Sequence, residues 1–106
     1  MEISIDATTD PPTTELLQAD DFGGFAVAVA GGEDAAVDTA LDALGARADA
    51  SHVFVEPALI EDLAGERAGD PAWRESLAAM LRFAAEHGWV DAAGRVRAHV
   101  EDRRGA

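Results

Sequence analysis

The chain has 106 residues, with 21 Asp and Glu against 8 Arg, no lysine and no cysteine, for a formal charge of −13. Without lysine it cannot hold pyridoxal phosphate or a carbonyl substrate as a Schiff base, nor set an ammonium on nucleotide phosphates as a P-loop does. Without cysteine it has no disulfide, thiolate metal site or thiol nucleophile, and a field this negative repels nucleic-acid backbones and anionic membranes over about 10 Å.

The length suits one domain, but much of the 48% hydrophobic content is alanine, which buries little area per residue. Self-association would supplement so modest a core. No asparagine is present to accept a glycan, no stretch approaches the length of a membrane span, and no basic-then-apolar leader opens the sequence. The expectation is a cytoplasmic protein. Charge is uneven: residues 1–46 hold ten acids and no Arg, whereas residues 47–106 hold eleven acids and all eight Arg. The two parts should attract one another.

In chain order, Ile3 and Ile5 alternate with polar neighbours and suggest a short strand or arm. Thr8 to Asp21, with Pro11-Pro12, reads as an irregular crossing with a helical turn near Leu16-Leu17, so residues 1–21 are expected as an N-terminal arm. Phe22 to Ala30 alternates Phe25, Val27 and Val29 with Ala26, Ala28 and Ala30. That pattern predicts a strand covered on both sides, with a helix packed closely on the alanine face. Gly31-Gly32 ends it, and Val37, Ala40, Leu41 and Leu44 predict a helix over 33–44 that Gly45 caps in a left-handed conformation. A second strand at His52 to Val55 would complete a β-α-β crossover, and Pro57 opens a short helix reaching Gly65.

Asp70-Pro71 is a strong helix start, and Trp73, Leu77, Met80, Leu81 and Ala84 carry that helix to His87-Gly88. Trp89-Val90, the loop Asp91 to Gly94 and Arg95 to Glu101 predict a hairpin, followed by a frayed tail over 102–106. The resulting fold class is α+β: one domain over 22–101 with a mixed sheet, a β-α-β unit, a long helix and a C-terminal hairpin.

Chemistry is sparse. Gly31-Gly32 before a helix invites an anion, but Glu33 and Asp34 already occupy that first turn and repel one, so a plain turn is the better reading. Asp34, Asp38 and Asp42 line one ridge of the helix, where like charges cost about 0.2–0.5 kcal/mol per pair. There is no HExxH and no GxSxG, and neither a metal site nor a cofactor is expected.

His87 reads as a helix cap, and Trp73 and Trp89 as anchors of the core or of an interface. His52 and Glu56 share a strand face, and His99 shares another with Arg95, Arg97 and Glu101. If those strands are neighbours, His52 and His99 would serve as acid and base, Glu56 as orienter, and Arg97, Arg95 and Trp89 as a ligand clamp for a small anion.

The favoured reading of function is a small acidic module that works by self-association or as an accessory subunit to a protein partner. The alternatives are a cofactor-free isomerase or lyase using His52 and His99, and a DNA mimic whose carboxylates imitate phosphates.

Overall fold

The computed structural model describes residues 1–105. Alternating β-branched residues build β1, β3 and β5, and one six-stranded mixed sheet gathers all the strands. In chain order the elements are β1 Glu2–Asp6, β2 Thr13–Leu17, β3 Ala26–Gly31, α1 Asp34–Asp42, β4 Gly45–Asp49, β5 His52–Val55, α2 Pro57–Ala64, a 3-10 turn Gly65–Gly69, α3 Pro71–Glu86 and β6 Val96–Asp102. The strand order is β2-β1-β3-β6-β5-β4. β1, β3 and β6 run parallel at the centre, while β2, β5 and β4 pair antiparallel outside them. The α+β class is therefore as the sequence pattern implies.

One face of the sheet carries the core. Ile3, Ile5, Val27, Val29, Val53, Val55, Val96 and Ala98 point to it and meet Val37 and Leu41 of α1, Ile60 of α2, and Trp73, Leu77 and Ala84 of α3. Each buried Val, Leu or Ile side chain contributes about 1.5–3 kcal/mol relative to exposure. α3 begins as expected, with Asp70 Oδ1 accepting the Ala72 N–H at 3.0 Å and Pro71 at the first position. It ends at His87, whose ring Nδ1 lies 2.9 Å from the Phe83 carbonyl.

Several expectations are corrected. Of the strand or arm expected at Ile3 and Ile5 the strand is found, as the interior strand β1, whereas Thr13–Leu17, read as irregular with a helical turn, is the edge strand β2 paired to it. Gly45 does not cap α1 but starts β4, where an added Cβ would collide with the carbonyl oxygen of Phe54. The β-α-β unit consequently closes on β4, which runs parallel to β3 beyond β6 and β5, and not on the strand at His52.

The first arm of the hairpin shrinks to the single bridge Val90–Val96 and the bond from Arg97 N–H to the Trp89 carbonyl at 2.8 Å. No helix covers the alanine face. Ala28 is only 1% exposed, yet it stands outside the core cluster, between Ser4 and Glu101 of the neighbouring strands.

Residues 103 and 104, expected to fray, are held: Arg103 pairs with Glu2 at 2.8 Å and Glu101 at 2.6 Å, and Arg104 with Asp34 at 2.9 Å and Asp102 at 2.8 Å. Ala106 lies outside the described residues. With Arg47–Asp38 and Arg67–Asp20, both at 3.2 Å, four pairs join acids of residues 1–46 to Arg of the remainder. The acidic ridge of α1 is thereby offset at two of its three carboxylates. Arg104 also donates to the Gly32 carbonyl at 3.0 Å, so a cation already occupies the entrance to α1.

Candidate functional site

The sheet is staggered, and the stagger makes the site. β6 pairs with β3 only from His99 onward, starting at Ala26–His99, whereas on its other side it pairs with β5 from Val96 to His99. Beside the first residues of β6, β3 has not yet begun. Its place is taken by the loop Phe22–Phe25 on one side and Trp89-Val90 on the other, with a cleft of about 400 Å³ between them. Phe22, Phe25, Met80, Phe83 and Trp89 give it apolar walls, and His52, Arg97 and His99 supply the polar groups. Ligand sites commonly combine an apolar lining with a few placed polar groups at about this size.

His52 and His99 are cross-strand partners with ring centroids 5.5 Å apart in an edge-on arrangement. The Nδ1 of His52 donates to Asp49 Oδ1 at 2.9 Å, and Asp49 also accepts the Ser51 N–H at 2.8 Å. The Asp49 carboxyl is held below the usual carboxylate range, first by the His52 hydrogen bond and then by that of Ser51. With Nδ1–H committed to Asp49, the neutral ring presents Nε2 as the acceptor.

Arg97 lies with its guanidinium carbon 5.9 Å from the centre of the Trp89 ring, within cation–π range. Among the described residues it makes no ion pair, in contrast with Arg47, Arg67, Arg74, Arg95, Arg103 and Arg104. Trp89 is itself stacked on His87 at 4.7 Å and meets Phe83 at 6.0 Å.

The structure thus brings together His52, His99, Arg97 and Trp89, and leaves out Glu56 and Arg95. Glu56 does not line the cleft: its backbone is still extended, but it lies four residues along from His52, past the last residue of β5 and at the cap of α2, with its side chain exposed. Arg95 is consumed by its own turn, donating through Nε to Asp91 Oδ2 at 2.7 Å and through its backbone to Asp91 Oδ1 at 2.9 Å.

Asp49, missed in the sequence, orients His52 in place of Glu56. The run Asp49-Ala50-Ser51-His52 between two strands carries the signal, because an aspartate commonly accepts a backbone N–H two residues on in a tight turn. Phe83 was also missed. It lies off the buried stripe of α3, is 55% exposed and lines the cleft, and nothing in its local sequence distinguishes it from an ordinary surface aromatic.

Among the described residues no group of three or more His, Asp or Glu is arranged to share a metal ion, and no helix is long and apolar enough to cross a membrane. No family model, curated protein or solved structure matches the chain.

Proposed function

We propose that the chain is a small ligand-binding module whose cleft takes a compact molecule with an apolar or aromatic body and an anionic head, most simply an aromatic carboxylate. The observation that supports this reading is the free Arg97 guanidinium, held over Trp89 at the polar end of an aromatic-walled cleft. A carboxylate there would gain a charge-assisted hydrogen bond, stronger than a neutral one, and the apolar body would stack among Phe22, Phe25, Phe83 and Trp89. A cytoplasmic setting, expected of a cysteine-free acidic chain, belongs to the same reading.

The test is an NMR titration with benzoate, phenylacetate and indole carboxylates, each beside its neutral amide. Saturable shifts at Trp89 Nε1–H, Arg97 and His99 for the acids, weaker for the amides, are the expected result. Absence of saturable shifts at millimolar concentration for every compound refutes the reading.

A second reading is proton transfer by a cofactor-free isomerase or lyase. The specific support is the Asp49–His52 hydrogen bond beside His99, an arrangement in which one carboxylate fixes the tautomer of a histidine in a cleft. His52→Asn and His99→Gln would then abolish turnover of a bound compound while leaving its affinity within a few-fold; wild-type turnover in both variants excludes this reading. The DNA-mimic reading has less support, because Arg side chains interrupt the acids at Glu2, Asp20, Asp34 and Asp38.

A further inference from the structure

The cleft holds a second polar group whose chemistry is the reverse of that of Arg97. His52 turns its Nδ1 edge to Asp49, which is no part of the cleft lining, at 2.9 Å. Asp49 is itself anchored by the Ser51 N–H at 2.8 Å, so its position does not depend on the ring. The other ring nitrogen, Nε2, has no hydrogen-bond partner among the described residues, and it is not buried either, since the only buried unpartnered side-chain atom among them is Arg47 Nε. It therefore meets open space, on a ring that lines the cleft. His99, with its ring centre 5.5 Å away, makes no hydrogen bond to it. In the neutral ring with its proton on Nδ1, Nε2 is an acceptor.

Arg97 supplies donors and a positive charge, and His52 supplies a lone pair. The two stand at diagonal positions of neighbouring antiparallel strands, because His52 is opposite His99 and Phe54 is opposite Arg97. Such positions lie about 7–8 Å apart. One carboxylate cannot serve both, since an ionised carboxylate only accepts: it suits the guanidinium and is repelled by the lone pair of Nε2. Resting on the aromatic-carboxylate reading, we infer that the ligand also carries a hydrogen-bond donor at the end of its aromatic body remote from the carboxylate, most simply a phenolic hydroxyl that donates to His52 Nε2. An α-amino group does not suit, because it sits beside the carboxylate and brings a second positive charge toward Arg97. Asp49 is then a positioning residue that touches no ligand. By holding the ring proton on Nδ1 it decides that this end of the cleft takes a donor and not an acceptor.

NMR titrations at about pH 8, between the ordinary pKa values of imidazole and phenol, would compare para-hydroxyphenylacetate with para-methoxyphenylacetate and phenylacetate. The hydroxy acid should bind about tenfold more tightly than its methyl ether, which keeps the oxygen and has no proton to give. Asp49→Ala, at the exposed last residue of β4, frees the ring to put its proton on Nε2 and should bring that ratio close to one. A penalty due only to the size of the methyl group would persist in the variant. Independently of any ligand, long-range proton–nitrogen correlation spectra of the free wild-type chain should show His52 protonated on Nδ1 and bare on Nε2. Binding with no preference for the hydroxyl, a preference that Asp49→Ala leaves unchanged, or a protonated Nε2 in the free chain each overturns the donor requirement and leaves the aromatic-carboxylate reading standing. Absence of binding by all three acids removes both.

Discussion

The two ends of α3 carry nearly the same side chains put to opposite uses. At its start Trp73 meets Phe22 at 5.9 Å, and at its end Trp89 meets Phe83 at 6.0 Å. Trp73 is 4% exposed and donates its indole N–H to the Ala19 carbonyl at 2.9 Å, tying the loop before β3 to the helix. Trp89 is half-buried, has a cation beside its ring, and borders open space. The difference lies in what the sheet supplies opposite each ring. Near Trp73 the chain closes over the indole, with Phe22 alone of that pair reaching the cleft, whereas near Trp89 the stagger between β3 and β6 leaves the gap. Composition alone does not separate an anchor from a cleft wall; the register of the neighbouring strands does.

The largest effect should separate the two tryptophans. Trp73→Ala is expected to lower unfolding free energy by about 3–5 kcal/mol, the usual range for emptying a buried aromatic site, as read from urea denaturation. Trp89→Ala should cost about 1–2 kcal/mol, because its ring is only partly removed from water, while reducing affinity for an aromatic carboxylate at least about tenfold. Equal stability losses for the two would erase the distinction between anchor and wall.

Arg97→Ala sharpens the contrast further. Its stability should change by no more than about 1 kcal/mol, since the side chain has no ion pair to lose, but carboxylate affinity should fall by about tenfold to a hundredfold in the same NMR titration. A fall of the same size for the neutral amide would show that Arg97 contributes packing and not charge recognition.

The smallest effect concerns acid. Asp102 is held at about 2, first by the Arg104 side-chain hydrogen bond and then by the Arg104 backbone N–H, and Asp49 is lowered chiefly by His52. A carboxyl lowered on folding stabilises the native state above the ordinary value of 3.8, and that contribution is lost as pH falls through the folded value. Asp102→Asn should therefore flatten part of the decline in melting temperature between about pH 4 and pH 2, and Asp49→Asn should flatten it less. Unchanged acid limbs in both variants would contradict the ion-pair and hydrogen-bond assignments.

How much of this was legible depended on whether a residue's fate was decided locally. α3 was readable because its cap, its proline and its apolar stripe are all encoded within the helix. The strands at Val27–Val29 and His52–Val55 were readable from their β-branched residues. β2 and β4 were not, since Thr-Thr-Glu-Leu-Leu and Gly-Ala-Arg-Ala-Asp have no strand pattern of their own and become strands only by pairing with β1 and β5. Gly45 misled for the same reason: a glycine after a helix has two uses, and only the nearness of Phe54 selects between them. At the site, His52, His99, Arg97 and Trp89 were nameable from residue type and alternation, but their meeting rests on cross-strand register, which is a long-range property. Glu56 was assigned by extending a strand period one residue past the strand's end.

β6 comes last among the strands in the sequence yet sits between two groups that precede it. Without it, β2-β1-β3 and β5-β4 share no hydrogen bonds, and each leaves an unpaired interior edge. Assembly of the sheet is thus a closure reaction between opposite ends of the sequence, with its entropic cost met before the central contacts form. Until residues 96–102 insert, the edges of β3 and β5 are open templates for other chains. With a formal charge of −13, like-charge repulsion between chains opposes such pairing while those edges are open.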